Sequence, residues 1–323
     1  MTIAPPPADT AGSAPTNTDR PAGSDGGIGG VNRRSRRRPV ERDKRRNPIL
    51  TVILWITLAY FLLPLVWLAV QSTKTNADIF STFGLAFGRT FAFGDNLVQL
   101  FTFQDGIFLH WMGNTVLYAV ASSVGAAILA TMCGYALAKY VYRGRSFVFG
   151  LILGAVMVPL TALAIPTYLL FSAANLVDTP WAIILPSLVS PFGVYLMRVY
   201  AAEAVDDSLL EAARIDGAGE FRIFLTISSR LLAPGIVTVL LFALVSTWNN
   251  YFLPLIMLND PSLFPATVGL AQWQQAATGG GGAQVLFSTV LTGSFVSILP
   301  LVVAFLFLQR FWQSGLSTGS VKG

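Results

Sequence analysis

The sequence predicts an all-α integral membrane protein with six transmembrane helices and a charged loop between the fourth and the fifth. Three observations carry this prediction. Hydrophobic residues make up 54% of the chain and charged residues only 11%, whereas a soluble domain has about 25% charged residues. Long uncharged segments recur, and a helix needs about 20 apolar residues to cross a bilayer. Basic residues also fall between these segments in a biased pattern. A soluble enzyme is therefore excluded.

Residues 1–48 are predicted to be a disordered, basic tail. Small and polar residues dominate the first 30 positions, so this segment cannot offset its ordering entropy by burial. Nine of the 21 Lys and Arg residues follow between positions 33 and 46. This cluster fits nucleic-acid or anionic-lipid binding, but we favour a topology anchor and expect no nucleic-acid partner. A twin-arginine export signal is disfavoured because no small-x-small cleavage site follows the long apolar run.

Residues 49–323 are predicted to form the transmembrane domain. Its six spans are residues 49–70, 114–138, 146–172, 180–197, 233–258 and 285–308, none of which contains a charged residue. The third span should kink or break, because Pro159 and Pro166 lie inside it and proline removes a helical hydrogen bond.

The basic residues set the orientation. With the amino terminus inside, 19 of the 21 basic residues lie in inner segments, and the outer loops hold only Lys74 and Arg89. Cytoplasmic loops carry an excess of Lys and Arg. We therefore expect both termini in the cytosol of a bacterium, an inner-membrane location, and a cytosolic loop at residues 201–233.

The chain carries no recognisable catalytic motif. Gly-x-x-x-x-Gly-Lys-Ser/Thr is absent, so nothing in the sequence is suited to cradle ATP phosphates. The single histidine, His110, has no Cys or His partner at metal-ligand spacing, and the single cysteine, Cys133, lies in an apolar run. We predict no enzymatic activity, no metal site and no cofactor bound by this chain.

Loop 201–233 is predicted to contain two short helices. Six of the 16 acidic residues lie between positions 203 and 220. Ser208 and Glu211 fit a capping box at the start of the first helix. Gly217 is expected to end that helix in the left-handed conformation. A second helix over 219–229 would place Phe221, Phe224, Leu225 and Ser228 on one face, and Leu209 with Ile215 would form a shallow apolar contact. An amphipathic linker on the membrane and a docking element for another protein explain this loop equally well.

The loop resembles the EAA loop of ABC importer permeases. The matching residues are Glu211, Ala212, Ala213, Asp216, Gly217, Ala218, Phe224, Ile227 and Pro234. The resemblance implies that residues 211–213 and 216–218 couple the membrane helices to an ATPase. Arg230 departs from the pattern, because many members have proline there, and this leaves the end of the second helix undecided.

A second signature is similar to the C-terminal tail of maltose-permease-like carbohydrate permeases. Its residues are Gln309, Arg310, Phe311, Gly315, Leu316, Gly319, Val321 and Lys322. In that family the tail enters the cleft between two ATPase subunits, so Gln309, Arg310, Gly315, Gly319 and Lys322 are expected ATPase contacts. Asn114, the run 134–136 and Trp248–Asn249 add to the resemblance, which covers about residues 50–323.

The resemblance implies a type I ABC importer permease fold and a set of partners. These are a second, related permease subunit, two ATP-binding subunits that hold ATP and Mg, and an extracellular solute-binding protein. The expected solute is a sugar or oligosaccharide. A non-sugar solute such as a glycerol phosphate derivative or a polyamine is the alternative. Two other classes of protein are alternatives. A self-contained secondary transporter would need charged residues inside the spans. A membrane anchor or scaffold would depend on its basic tail for function.

Polar and aromatic residues near the outer end of the fifth span are the candidate substrate path. They are Trp248, Asn249, Asn250 and Tyr251. Tryptophan and tyrosine can stack on sugar rings, but interhelical hydrogen bonds and an aromatic belt explain the same residues, and we favour that interpretation slightly. Gln272 and Trp273 are a weaker candidate for contact with a binding protein or sugar.

Overall fold

The computed structural model describes residues 48–159, 161–279 and 286–318, and all regular secondary structure in these ranges is helical. The helices are α1 Pro48–Gln71, α2 Asn76–Ser81, α3 Phe93–Thr102, α4 Ile107–Lys139, α5 Arg145–Val156, α6 Ala164–Ala173, α7 Trp181–Ser187, α8 Pro191–Ala204, α9 Asp207–Ile215, α10 Glu220–Ile223, α11 Ser229–Trp248, α12 Phe252–Met257, α13 Ala266–Thr278 and α14 Leu286–Thr318. The chain divides into two compact units after Val52, and every contact described below lies within the second unit. The predicted tail, residues 1–48, lies outside the described ranges except for Pro48.

Within the described residues, five helical stretches are long and apolar enough to cross a membrane. They are Pro48–Gln71, Phe93–Lys139, Trp181–Ala204, Glu220–Trp248 and Leu286–Phe311. The third predicted span, 146–172, is instead divided between the shorter apolar helices α5 and α6. Pro159 lies in the break, and Pro166 lies in the first turn of α6, where a missing N–H leaves no helical bond unmade. The predicted interruption near these prolines is therefore confirmed.

Two predicted spans have different bounds in the structure. The second, 114–138, starts at Ile107, because Gly106 adopts the left-handed conformation (φ 75°) and begins a new helix there. The fourth, 180–197, is interrupted after α7. Ser190 accepts a hydrogen bond from the Gly193 N–H, and Pro191 opens α8, which then continues to Ala204. Proline at the first helical position is compatible with a helix start but not with continuation from the preceding turn.

The fifth and sixth predicted spans also need correction. The fifth, 233–258, was expected to be separate from a loop helix over 219–229, but one continuous helix runs from Glu220 to Trp248. A π-helical turn at Phe224–Ser228 lies within it. The helix then stops at Trp248, and residues up to Met257 belong to α12. The sixth, 285–308, continues beyond its predicted end to Thr318.

Close contacts between α4, α8 and α11 form one of the cores of the protein. A Cβ atom on Gly134 of α4 would lie 2.6 Å from the Met197 Cβ and 2.7 Å from the backbone nitrogen of Arg198 in α8. Gly235 of α11 similarly approaches Tyr200 of α8. Lipid provides no hydrophobic drive for helices to associate, so small residues that permit close packing stabilise such contacts.

The other end of α4 is joined to the segment between α12 and α13 by polar side chains. Trp111 Nε1 donates to the Pro261 carbonyl (2.8 Å), Asn114 Nδ2 to the Ser262 carbonyl (2.7 Å) and the Tyr118 hydroxyl to the Leu263 carbonyl (2.9 Å). The Thr115 hydroxyl accepts from the Ala266 N–H at 2.8 Å. These bonds satisfy backbone groups of the 3-10 helix Pro261–Leu263 and of the first residue of α13. Such groups carry a free-energy cost if they are buried without a hydrogen-bond partner.

We predict that Gly134→Ala destabilises the protein by about 1–3 kcal/mol, the usual cost of overpacking. The added methyl group meets backbone atoms of α8, which cannot rotate away. Gly113→Ala, in the same helix, is the matched control because no atom lies within 4 Å of its Cβ position. Thermal unfolding of the purified protein in detergent measures both variants. Equal transition temperatures for the two variants would contradict the packing argument.

Candidate coupling site between α8 and α11

The helix α9 begins with an aspartate cap. The Asp206 carboxylate accepts hydrogen bonds from the Ser208 N–H and the Ser208 hydroxyl, both at 2.9 Å. The predicted capping box of Ser208 and Glu211 is therefore wrong, because the cap lies two residues earlier, at Asp206, and the helix begins at Asp207. An aspartate at this position satisfies an unpaired helical N–H, as the serine was expected to do.

The helix ends with the predicted glycine stop, which is confirmed. Gly217 has a φ of 79°, a conformation that costs little only for glycine. The Ala218 N–H donates to the Ala213 carbonyl and the Gly217 N–H to the Arg214 carbonyl, both at 3.0 Å. This pair of bonds is a Schellman motif. It reverses the chain sharply and fixes the direction in which α10 leaves.

The two faces of α9 have different environments. Leu210 and Ala213 are buried in a cluster with Met197 of α8 and Ile223 of α10. Glu211, Ala212, Asp216 and Gly217 are exposed, as are Leu209 and, with 86% of its surface accessible, Ile215. Ala218 is half-buried against the same cluster. The Glu-Ala-Ala sequence therefore contributes one alanine to the core and leaves the glutamate and the other alanine on the surface.

Polar side chains connect α9 to the end of α4. Arg214 donates to both carboxylate oxygens of Glu220, from Nε at 2.6 Å and from Nη2 at 3.2 Å, and the Tyr140 hydroxyl donates to Glu220 Oε2 at 2.8 Å. Lys139 Nζ donates to Asp207 Oδ1 at 2.8 Å and to the Val205 carbonyl at 2.5 Å. None of these contacts was predicted from the sequence, because no local pattern brings positions 139–140 to positions 207 and 220.

Three of these groups also have shifted pKa values. The hydrogen bond from Arg214, and then that from Tyr140, lower the pKa of the Glu220 carboxyl. The bond to Glu220 raises the pKa of the Arg214 guanidinium. Burial, and then the hydrogen bond to Glu220, raise the pKa of the Tyr140 hydroxyl to about 12. The hydroxyl therefore remains protonated at physiological pH and acts as the donor in its bond to the carboxylate.

The π-helical turn lies where α10 passes into α11. The Ser228 hydroxyl donates to the Tyr135 hydroxyl of α4 at 3.1 Å, and the Phe224 ring lies 5.1 Å from the Tyr135 ring. The predicted apolar face is only partly correct, because Phe221 and Leu225 are exposed. The uncertainty raised by Arg230 is resolved, since the helix does not end there and this exposed side chain lies inside α11.

The C-terminal candidates are only partly described. Gln309 is half-buried and Arg310 is exposed, with its guanidinium carbon 4.7 Å from the centre of the Phe311 ring. Gly315 lies in the last turns of α14. Gly319 and Lys322 lie outside the described residues. Contact of this tail with an ATPase remains a prediction.

The candidate substrate-path residues lie at the junction of α11 and α12. Trp248 is buried and donates through Nε1 to the Ser297 carbonyl of α14 at 3.2 Å. Asn249 is exposed, and its Nδ2 donates to the Val245 carbonyl of its own helix at 2.9 Å. Asn250 Oδ1 accepts from the Leu253 N–H at 3.3 Å, and Tyr251 is partly exposed. Only Asn249 and Tyr251 thus present much surface to a ligand.

The weaker candidate pair, Gln272 and Trp273, is also divided. Trp273 is buried, contacts the Trp111 ring at 4.6 Å and donates through Nε1 to Gln104 Oε1 at 3.1 Å. Gln272 is exposed on α13. Trp273 therefore anchors α13 on α4, and Gln272 alone is accessible to another molecule.

Apolar helices long enough to cross a membrane, with the short polar helix α9 packed on them between α8 and α11, define an integral membrane protein. Comparison with known proteins then identifies the family. The model of the binding-protein-dependent transport system inner membrane component family matches residues 126–314, which is more than half of the chain. The protein belongs to this family and is a permease component of an ABC importer.

Individual relatives match almost the whole transmembrane domain. The arabinooligosaccharides transport system permease protein AraQ of Halalkalibacterium halodurans is 33% identical over 285 residues, covering 87% of this chain and 99% of the relative. The lactose transport system permease protein LacG of Rhizobium radiobacter is 29% identical, covering 86% and 98%. A crystal structure of a bacterial ABC transporter involved in the import of the acidic polysaccharide alginate contains a chain with the same fold. The TM-score is 0.72 at 23% identity, covering 82% of this chain and 95% of that one.

We predict that Gly217→Ala loosens the end of α9, because an L-residue in the left-handed conformation costs roughly 1–2 kcal/mol. Gly219→Ala is the matched control, since Gly219 has a φ of −71° and no atom lies within 4 Å of its Cβ position. Amide hydrogen exchange of residues 207–218 in the reconstituted protein measures the effect. Faster exchange in Gly217→Ala alone is expected, and equal exchange in the two variants would contradict it.

We predict that Trp248→Phe lowers stability by about 1 kcal/mol, the typical net value of a hydrogen bond, without changing the KM of solute uptake. The lost bond joins α11 to α14, and the side chain is not on an accessible surface. Tyr251→Ala is the comparison, because Tyr251 is exposed. A raised KM in Trp248→Phe at unchanged expression would place Trp248 in the path instead.

Proposed function

We propose that the chain imports a sugar or oligosaccharide with energy from separate ATP-binding subunits. The observation that carries this proposal is the rigid, capped helix α9, whose outer face of Glu211, Ala212 and Ile215 is exposed beside the bundle. An exposed apolar side chain on a short, fixed helix is suited to dock on another protein. The family resemblance of this helix supports the same role.

The proposal includes four partners and an orientation. Two ATP-binding subunits hold ATP and Mg, a second permease subunit completes the translocation path, and an extracellular solute-binding protein delivers the solute. The chain lies in a bacterial inner membrane, with loop 201–233 and both termini on the cytosolic side, in agreement with the distribution of basic residues. Within that arrangement the tail residues Gln309, Arg310, Gly315, Gly319 and Lys322 reach the ATPase pair.

The mechanism is a coupling of two binding equilibria. ATP binding closes the ATPase pair, and the closed pair binds one conformation of the membrane helices better than the other. The helix α9 links this difference in binding to the membrane helices, because it is the part of the chain that both contacts the ATPase and packs on α8. Ile215 fills a pocket of the ATPase, and Glu211 and Asp216 face its polar rim.

The names of the relatives support a saccharide as the solute. Arabinooligosaccharides and lactose are the solutes named for two relatives that match this chain over most of its length. A glycerol phosphate derivative remains the second candidate within the same mechanism. A self-contained secondary transporter is disfavoured, because the predicted spans contain no charged residue and ion coupling uses ionisable groups inside the membrane.

We predict that Ile215→Asp lowers solute uptake by about tenfold or more, because an apolar contact worth about 1.4 kcal/mol changes an equilibrium tenfold. The variant should remain stable, since the side chain is 86% exposed. Ile215→Leu, which keeps the apolar contact, is the control. Uptake of labelled arabino-oligosaccharides, lactose and glycerophosphodiesters is measured in membranes with the partner subunits. Unchanged uptake in Ile215→Asp would exclude α9 as the docking element, and uptake of the phosphodiester alone would exclude the saccharide.

A further inference from the structure

We propose that Lys139 and Tyr140, at the end of α4, are positioning residues that fasten α9 to the transmembrane bundle. Together with Asp207, Arg214 and Glu220 they form what we call the coupling clamp. This inference rests on the proposed function, because it assigns to the clamp the transmission of motion from α9 into α4. Neither Lys139 nor Tyr140 belongs to the loop resemblance described above.

The clamp has two separate attachments, one at each end of α9. At the start of the helix, Lys139 Nζ lies between Asp207 Oδ1 (2.8 Å) and the Val205 carbonyl (2.5 Å). At its end, the Arg214 guanidinium and the Tyr140 hydroxyl meet on the carboxylate of Glu220. Two attachments at opposite ends prevent rotation of α9 about either one, whereas a single attachment would leave such rotation free.

The Lys139 attachment is well fixed. The Lys139 side chain is only 5% exposed, so its ammonium group has few alternative positions. The carbonyl of Val205 directly follows the last residue of α8, and a lysine near the C-terminal end of a helix satisfies such unpaired carbonyl groups. One lysine therefore joins the end of α4, the end of α8 and the beginning of α9.

The Glu220 attachment is a bidentate ion pair, in which Arg214 bonds to both carboxylate oxygens. An isolated ion pair on a surface contributes little, but a guanidinium bonded to both carboxylate oxygens has a defined direction. The Tyr140 hydroxyl then connects this pair to α4, 80 residues away in sequence. The Tyr140 ring also packs edge-on against the Tyr135 ring at 5.9 Å, which limits its movement.

Apolar contacts alone would not fix the orientation of α9 on the bundle. Its buried face consists of Leu210 and Ala213, one medium and one small side chain, and such a surface permits sliding with little change in buried area. Hydrogen bonds tolerate only a narrow range of distances and angles. A slide of the helix by about 1 Å would therefore break them. The clamp therefore converts a push on α9 into a displacement of α4.

The test compares ATP hydrolysis with solute uptake in the complete transporter reconstituted in vesicles. In Tyr140→Phe and in Glu220→Gln, the number of ATP molecules hydrolysed per solute imported should rise by roughly threefold to tenfold, the range for one lost hydrogen bond. Hydrolysis without solute should persist. The double variant Arg214→Glu with Glu220→Arg preserves the ion pair and lets the Tyr140 hydroxyl act as acceptor, so it should restore the ratio towards the parent value.

A second measurement follows α9 itself. A spin label at Leu209→Cys, an exposed position of α9 outside the proposed ATPase contact, is placed in a Cys133→Ala background. The label should become more mobile in Tyr140→Phe and Glu220→Gln and return to parent mobility in the charge-exchanged variant. An unchanged ratio and an unchanged mobility in Tyr140→Phe, which differs by one oxygen atom, would overturn the clamp. The proposed function would survive that result if Ile215→Asp still lowered uptake by about tenfold or more, and would fail independently if Ile215→Asp had no effect.

Discussion

The close approach of α4 to α8 is the contact on which the remaining architecture depends. Gly134 allows the backbones to meet where any side chain would collide with Met197 and Arg198. This contact fixes the far end of α4 near the end of α8, so that Lys139 can reach the Val205 carbonyl and Asp207. At its other end α4 bonds to the segment at residues 261–266. One helix thus joins the loops on both sides of the bundle.

Features decided by local chemistry could be predicted from the sequence. The apolar segments gave the helical membrane fold, Pro159 placed the break in the third span, and Gly217 placed the end of α9. Features decided by tertiary packing could not. The helix cap at Asp206 differs from the predicted Ser208 by two residues, and both fit the same cap preference. The clamp joins residues far apart in sequence, for which neither hydrophobic periodicity nor a motif gives a signal.

The fusion of the predicted second loop helix with the fifth span has a physical reason. Nothing between Ile223 and Ser229 breaks a helix, and the Thr226 and Ser229 hydroxyls bond to carbonyls four residues earlier, which bends a helix without ending it. The chain from Glu220 to Trp248 is consequently one continuous helix, and no non-helical linker separates α10 from α11.

Under the proposed mechanism, a displacement of α9 therefore has two routes into the bundle. One is covalent, through the Gly217 turn into α10 and α11. The other passes through the clamp into α4. The first route turns at Gly217 and crosses the π-helical turn. The second ends on the Lys139 side chain, which is 5% exposed, and on the Tyr140 ring, which packs on Tyr135. Because α4 and α11 also pack on each other, motion that reaches α4 shifts both together. Transmission through α4 therefore requires no deformation at Gly217, whereas transmission through α10 passes through that turn.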